Sequence, residues 1–185
     1  DPGAVTLEQR SRAKMVSYGL AYGMEAYGLG QRLGVETSEA SEILEAYFVA
    51  FPAVRSFMDE IVKRTKEIGY TETIFGRRRP IPDLVASNFR VRQAAERQAM
   101  NAPIQGLAAD IFKIALVAID RSLTEMEAQS RLVLQVHDEV ILEVYPDEYE
   151  DVREMTIGCM SGAADLRVPL EVNLATGPTW AEAKA

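Results

Sequence analysis

The spacing of apolar residues predicts that the first half of the chain is helical. Apolar side chains recur every three or four residues, which is the period of an amphipathic helix. Thr6 and Gln9 form a capping-box pattern, so a helix should begin there and run to about Tyr22, where Gly23 stops it. A second helix is expected over 24–32 and is ended by Gly34. A third should follow a cap at Thr37 or Ser38, and a fourth should run from Pro52, which suits a first turn, to Gly69.

The second half combines a long helix with strand patterns. The helix is expected from about Asn88 through Leu123, with a bend at Pro103. The segment RLVLQVHDEVILEV alternates apolar and other residues on either side of a polar tip, which is typical of a β-hairpin. Other patterns predict a shorter hairpin or an irregular loop over 70–82, a helix near 147–160 and a strand near 168–174. Helices followed by sheet indicate an α+β fold.

The composition is that of a soluble globular protein with a core. Of the 185 residues, 48% are hydrophobic and 26% are charged. Since Cys159 and His137 are the one cysteine and the one histidine, a disulfide framework and a Cys/His zinc site are excluded. No stretch approaches the ~20 apolar residues of a membrane span, and no signal peptide opens the chain. We therefore expect a cytoplasmic protein without a membrane partner.

Charge is distributed unevenly along the chain. The net charge is −8, but residues 1–113 hold 15 Lys and Arg against 14 Asp and Glu, whereas residues 114–185 hold 5 against 14. The first part also contains local basic clusters, namely Arg10, Arg12 and Lys14, then Arg77, Arg78 and Arg79, then Arg90, Arg92 and Arg97. A basic surface that could bind a nucleic acid is therefore compatible with an acidic protein.

A stripe of basic and aromatic residues marks the first predicted helix. Arg10, Lys14, Tyr18 and Tyr22 follow one another at intervals of four residues, so they share one helix face. Two cations one turn apart, ~6 Å along the axis, repel each other unless an anion lies between them. A ligand with a phosphate end and a flat base would match such a stripe. The alternative is a solvated basic face that grades into packed aromatic rings.

A second stripe at the same spacing consists of Arg97, Asn101 and Gln105. Asn and Gln side chains can donate to the minor-groove acceptors, which lie in similar places for every base pair. Because Pro103 should bend the helix, Gln105 can leave this stripe. Helix-end capping and buried hydrogen bonding are the alternative roles of Asn101 and Gln105.

Two loops carry further candidate chemistry. The basic loop 76–79 could contact phosphates without reading sequence, although it could equally be a solvated charge run. His137, Asp138 and Glu139 form the polar tip of the predicted hairpin. A carboxylate held at such a turn suits Mg²⁺, which takes oxygen ligands, and the alternative is an ordinary polar turn.

Together these segments resemble the family A DNA polymerases, the bacterial DNA polymerase I type. The matching segments are RSRAKMVSYGLAYGM (10–24), similar to motif B, GYTETIFGRRRPIPDL (69–84), ERQAMNAPIQGLAADI (96–111), and LQVHDEVILEV (134–144), similar to motif C. The resemblance implies a mainly helical fingers subdomain over 1–110, with the motif B helix at 6–22, the basic loop at 76–79 and a helix at 88–107. Residues 111–185 would form the C-terminal part of an antiparallel palm sheet, with the catalytic motif C hairpin at 131–145.

The same resemblance implies roles for individual residues. Arg10 and Lys14 would hold the triphosphate of the incoming dNTP, Tyr18 would pack on its base and sugar, and Tyr22 would guard the template-base position. The residues implied near primer-template DNA are Arg77, Arg78, Arg97, Asn101, Gln105 and His137. Asp138 would be a catalytic metal ligand at a two-metal Mg²⁺ site, with His137 and Glu139 supporting the primer end.

The chain departs from the family pattern in one respect that concerns activity. The two-metal mechanism needs a second aspartate, which the family carries in motif A upstream of the fingers, and no such motif or thumb is found in the sequence. We therefore expect a fragment that is inactive alone and that needs the remaining palm and the thumb as its partner. We expect the enzyme to be cytoplasmic and associated with the bacterial nucleoid. The alternatives are a fragment of a phage-type single-subunit RNA polymerase and a non-catalytic DNA-binding fragment.

Overall fold

The computed structural model describes residues 2–183, which are mostly helical. The helices are α1 Leu7–Ala21, α2 Ala26–Leu33, α3 Thr37–Ala50, α4 Pro52–Ile68, α5 Phe89–Glu125, α6 Tyr149–Ser161 and α7 Trp180–Ala183. The strands form two antiparallel hairpins, β1 Tyr70–Glu72 with β2 Arg78–Pro80, and β3 Arg131–Val136 with β4 Glu139–Glu143. This mixture of helices with small antiparallel sheets agrees with the predicted α+β class at that coarse level.

The chain divides into two compact units, Asp1–Leu107 and Ala108–Ala185, and the boundary falls inside α5. The assignment of 1–110 to fingers and 111–185 to palm stays a prediction.

The first unit is organised around the packing of α1 to α4. Its buried residues are Val16, Leu20, Leu29, Ala40 and Met58. The predicted capping box is present, since Thr6 and Gln9 each accept a hydrogen bond from the other's backbone amide. A smaller cluster packs α5 against the segment that follows β2, and it consists of Ile81, Leu84, Ala95 and Ala99.

The second unit packs the β3–β4 hairpin against the end of α5 and against α6. Ile119, Leu123 and Val152 are buried at its centre. The hairpin contributes Leu132, Val140 and Leu142 to the same core. Ser130 and Glu148 close the base of this hairpin, because the Glu148 carboxylate accepts from the Gln129 and Ser130 amides and from the Ser130 hydroxyl.

Two predictions about the elements are wrong. Helix α3 is capped neither by Thr37 nor by Ser38, since Thr37 is already helical and Glu36 precedes it in an extended conformation without a side-chain cap. The tight connection from α2, in which the Val35 amide donates to the Gly30 carbonyl, fixes where the backbone enters α3. The predicted strand at 168–174 is also absent, because no described segment offers it a hydrogen-bonded partner.

Helix α5 corrects a third prediction. By length and composition it is long and apolar enough to cross a membrane, the one such helix among residues 2–183. Polar side chains such as Gln105, Asp110 and Lys113 interrupt the apolar positions of α5, so the sequence shows no long apolar run, whereas the mean hydropathy of an 18-residue segment of the helix is still high. Taken alone this is a weak indication, because core helices of soluble proteins reach the same composition. Pro103 lies inside α5 and does not end it.

Candidate nucleotide and nucleic-acid interface

The basic and aromatic stripe lies on the outer face of α1. Arg10 and Lys14 are exposed, and the side chains of Tyr18 and Tyr22 are 57% and 56% exposed. The opposite face of the helix buries Val16 and Leu20 in the core. The rings are therefore not packed into the first unit, which removes the packed-aromatic part of the alternative interpretation.

The cations of this stripe are not neutralised by the first unit. Within residues 2–183, neither Arg10 nor Lys14 makes an ion pair. The Lys14 ammonium lies 5.5 Å from the centroid of the Tyr18 ring, which is within the range of a cation–π interaction. Two unpaired positive charges beside exposed rings create a positive potential that attracts an anionic, aromatic ligand.

The C-terminal end of α1 is fastened to α5 through Asn101. The Asn101 side-chain amide donates to the carbonyl oxygen of Ala21 over 2.8 Å. That carbonyl is one of those that a helix end leaves without an intrahelical partner. Asn101 itself is only 8% exposed. Helix-end capping, the alternative considered for this residue, is thus what the structure shows, and a contact of Asn101 with DNA stays a prediction.

Gln93 and Gln105 lie on the same face of α5 as Asn101 and also contact residues near the C-terminal end of α1. The Gln93 amide donates to the Glu25 carboxylate over 2.6 Å, and the Gln105 amide lies 3.4 Å from the Tyr22 hydroxyl. The expected departure of Gln105 from the stripe is therefore not seen, although Pro103 lies between it and Asn101.

Arg97 of α5 also contacts the end of α1, because its side chain packs on Gly23. Gly23 has a φ of +65°, and a Cβ added there would lie 2.7 Å from the Cγ of Arg97. Any larger residue at position 23 would therefore be strained and would displace the stem of Arg97. The structure thus brings the two sequence stripes together, with residues 97, 101 and 105 of α5 against residues 21–23 at the C-terminal end of α1.

The basic segment 76–79 spans the end of the turn and the first residues of β2 in the β1–β2 hairpin, which confirms the hairpin alternative. Arg78 is ordered by two contacts, a 3.0 Å ion pair with Glu72 and a position over the Tyr70 ring, 4.8 Å from its centroid. Arg77 and Arg79 are exposed on either side of it. The Arg78 guanidinium is thus not part of a freely solvated charge run.

Sequence reasoning missed the residues that hold this hairpin in place. Gly106 of α5 lies against Thr73, and a Cβ at position 106 would be 2.7 Å from the Thr73 Cγ2. The available signal was a glycine in the middle of a long helical pattern, which generally has a packing or functional reason.

The tip of the β3–β4 hairpin consists of His137 and Asp138. Val136 pairs with Glu139, so Glu139 is the first residue of β4 and the prediction that places it in the tip is wrong. His137 has a φ of +54°. Two-residue hairpin turns favour positive φ because it matches the twist of the strands. The turn therefore places Asp138 at the exposed end of the hairpin, between His137 and the first residue of β4.

The carboxylate of Asp138 has the right chemistry for a hard cation, but the chain alone does not complete a site. Both His137 and Asp138 are exposed, and Asp138 makes no hydrogen bond or ion pair within the part of the chain that the structure describes. Over the same residues, no group of three or more His, Cys, Asp or Glu side chains could hold a metal ion. Mg²⁺ takes six oxygen ligands, so a cation here would need donors from outside this chain.

Comparison with known proteins finds consistent similarity over nearly the whole chain. The family model described as DNA polymerase family A matches residues 1–182. The chain is 51% identical over 176 residues to DNA polymerase I of Mycobacterium tuberculosis strain H37Rv, a match that covers 95% of the chain and 20% of that protein. It is 48% identical over 180 residues to DNA polymerase I of Geobacillus stearothermophilus, covering 97% of the chain and 20% of that protein.

The structure is also similar to that of a solved protein, the POL domain of Pol1 from M. smegmatis in complex with DNA primer-template and dNTP. The two share a TM-score of 0.95 and 45% sequence identity, covering 99% of this chain and 32% of that one. The chain thus spans about a fifth of the length of the relatives it matches. The matched residues include both stripes and both hairpins.

Proposed function

Because the chain belongs to DNA polymerase family A, we propose that it is part of a DNA-directed DNA polymerase and contributes the nucleotide-binding helix and one metal-binding carboxylate. The complete enzyme would transfer nucleotides from dNTPs to the 3′-hydroxyl of a primer as the template directs. The observation that carries this proposal is the unpaired stripe of α1, whose C-terminal end is fastened to the polar stripe of α5.

The incoming nucleotide would lie along α1. Arg10 and Lys14 stand one turn apart, ~6 Å along the axis, a separation that suits successive phosphates of a triphosphate. Arg10 can bind a phosphate through its planar fork, whereas Lys14 acts as a compact positive charge. The ring of Tyr18, one turn further on, would pack against the sugar and base. In this assignment the first unit is the fingers subdomain.

Primer-template DNA would contact the region where α1 ends and α5 passes. Tyr22 offers an exposed ring beside the Gln105 amide, which suits the position of the template base. Arg97 would contact the terminal base pairs or their phosphates, and the arginines of the β1–β2 hairpin, Arg77 and Arg78, would contact the backbone. The similar M. smegmatis structure is a complex with primer-template DNA and dNTP, which supports these partners for the present chain.

The second unit would supply part of the palm. The β3–β4 hairpin corresponds in this proposal to motif C, with Asp138 as a ligand of catalytic Mg²⁺ and with His137 and Glu139 near the primer end. A pair of bound metal ions supplies charge stabilisation to the attacking and leaving oxygens. Since residues 2–183 contain no complete ligand group, the second carboxylate would come from the remainder of the palm.

Primer extension tests this proposal directly. The purified chain should not extend a primer, because one catalytic carboxylate is missing. The complete polymerase, in which this chain is joined to the remaining segments of the domain, should extend it with dNTPs in a template-dependent manner. Extension by the chain alone would contradict the two-carboxylate requirement, and preferential use of rNTPs would favour the RNA polymerase alternative. DNA binding without any extension by the complete protein would favour a non-catalytic DNA-binding role.

A further inference from the structure

The β1–β2 hairpin rests on α5 at a position where no side chain fits. An added Cβ on Gly106 would lie 2.7 Å from the Cγ2 of Thr73 and 3.6 Å from the Cδ of Arg77. The first distance is shorter than van der Waals contact between carbon atoms allows, so an alanine at position 106 would force Thr73 to move.

Thr73 is poorly able to move, because it organises the turn that presents the arginines. Its hydroxyl accepts from the amides of Phe75 and Arg77 over 3.3 and 3.2 Å, and its own amide donates to the Arg77 carbonyl over 2.9 Å. The side chain is 8% exposed. As a β-branched residue it has few χ1 states, and rotation that withdraws the methyl group also withdraws the hydroxyl from these amides.

The contact lies next to the place where α5 meets the end of α1. Gln105, the residue before Gly106, approaches the Tyr22 hydroxyl. The contact between Thr73 and Gly106 (the seat of the hairpin) therefore determines the distance from Arg77 to the exposed ring of Tyr22 and to the adjacent side chains of α5.

We propose that Gly106 is a positioning residue: its lack of a side chain seats Thr73 on α5 and so fixes the arginines of the β1–β2 hairpin where they contact primer-template DNA. The DNA contact rests on the function proposed above, whereas the seat itself rests on the geometry of residues 73, 77 and 106. Gly106 acts through Thr73 and touches neither nucleotide nor DNA.

The test uses Gly106→Ala, the double variant Gly106→Ala/Thr73→Ser and Thr73→Ser alone. Serine keeps the hydroxyl that organises the turn and removes the methyl group that the new Cβ would meet. Gly158→Ala in α6 is the matched control, because a Cβ at that helical glycine meets nothing within 4 Å. It reports the gain in helix propensity that any such replacement brings.

Two measurements are made on each variant. Hydrogen exchange in the 185-residue chain follows the amides of Phe75 and Arg77, and primer-template affinity is measured in the complete polymerase. Gly106→Ala should accelerate exchange at these amides and weaken DNA binding, each by roughly tenfold, because overpacking opens the seat. The double variant should restore both quantities to within about twofold of Thr73→Ser alone, and Gly158→Ala should change neither.

The outcomes separate the seat from the DNA contact. Unchanged exchange in Gly106→Ala, or a defect that Thr73→Ser does not relieve, would overturn the seat. Rescued exchange with unaltered DNA affinity in every variant would overturn the positioning role. If the unsubstituted polymerase does not bind primer-template, the proposed function fails together with the positioning role, while the exchange result still decides the seat. If Gly106→Ala does not fold, recovery of a folded protein in the double variant supports the seat, and failure of both overturns it.

Discussion

The side-chain amide of Asn101 donates to the carbonyl oxygen of Ala21, a residue 80 positions earlier in the chain, over 2.8 Å. This bond caps the last turn of α1 from the side of α5 and leaves the next residue, Tyr22, exposed at the corner. The orientation of the nucleotide-binding stripe proposed for α1 thus depends on a buried amide that lies outside that helix.

Replacing Asn101 by alanine should destabilise the first unit. The change leaves the Ala21 carbonyl without its partner in a half-buried site, which costs about 1–3 kcal/mol. The urea midpoint of the chain measures this effect. Asn173→Ala is the matched control, since Asn173 is exposed, and it should stay within about 0.5 kcal/mol of the unsubstituted chain. Equal midpoints for the two variants would show that the Asn101 bond contributes no stability.

Lys14→Ala should weaken nucleotide use far more than DNA binding. A hydrogen bond to a charged group contributes about 1.5–3 kcal/mol, so KM for the dNTP should rise about 10- to 100-fold in the complete polymerase. Steady-state kinetics and a separate primer-template titration measure the two effects. Arg12→Ala removes a cation from the opposite face of the same helix and should leave KM nearly unchanged. Equal effects of the two substitutions would indicate a general loss of positive charge.

Asp138→Ala should abolish incorporation by the complete polymerase and leave primer-template binding largely intact. Loss of a metal ligand removes several kcal/mol of transition-state stabilisation, so the rate should fall on the order of 10³-fold or more. Single-turnover extension and DNA titration are the measurements. Asp147→Ala, which removes an exposed carboxylate after the hairpin, should extend primers normally. Near-normal extension by Asp138→Ala would remove Asp138 from the metal site.

Glu148 should make the stability of the second unit depend on pH. The Ser130 hydroxyl, followed by the Gln129 and Ser130 amides, holds the pKa of the Glu148 carboxyl below its usual range. Because the pKa is lower in the folded than in the unfolded protein, the stabilisation is complete above the unfolded pKa of about 4.3 and is lost as pH falls through the folded pKa.

Glu148→Gln tests this dependence. The variant should be less stable than the unsubstituted chain at pH 7, and the difference should shrink as the pH is lowered below about 4. Urea midpoints measured across this range check the expectation. Glu154→Gln, at an exposed position of α6, is the control and should follow the unsubstituted chain at every pH. A stability difference that does not change with pH would mean that the charge of Glu148 has no role.

Sequence reasoning succeeded where the determinants are local. The Thr6–Gln9 capping box lies within one turn, the β3–β4 hairpin is predicted by alternation around a short turn, and the β1–β2 hairpin is one of the two alternatives predicted for 70–82. The approximate span of α5 followed from its continuous helical periodicity, including the residues on either side of Pro103. In each case neighbours within a few residues determine the backbone.

Apart from local errors at the start of α3 and at Glu139, sequence reasoning failed on interactions between distant segments. The pattern at 168–174 is that of a strand, but a strand exists only with a partner, and no described segment supplies one. The capping of Ala21 by Asn101 and the seat of Thr73 on Gly106 join residues that no periodicity relates. The spacing of the α1 stripe correctly predicted that its residues share one helix face, but spacing alone could not predict that both tyrosine rings are exposed.

The most direct test is the structure of the complete polymerase with primer-template, an incoming dNTP and Mg²⁺. We predict that the Lys14 ammonium lies about 3 Å from a triphosphate oxygen, while the Asp138 carboxylate coordinates a metal ion bound to the same nucleotide. A complex in which Lys14 and Asp138 open onto separate surfaces, with the nucleotide bound by neither, would contradict the proposed function.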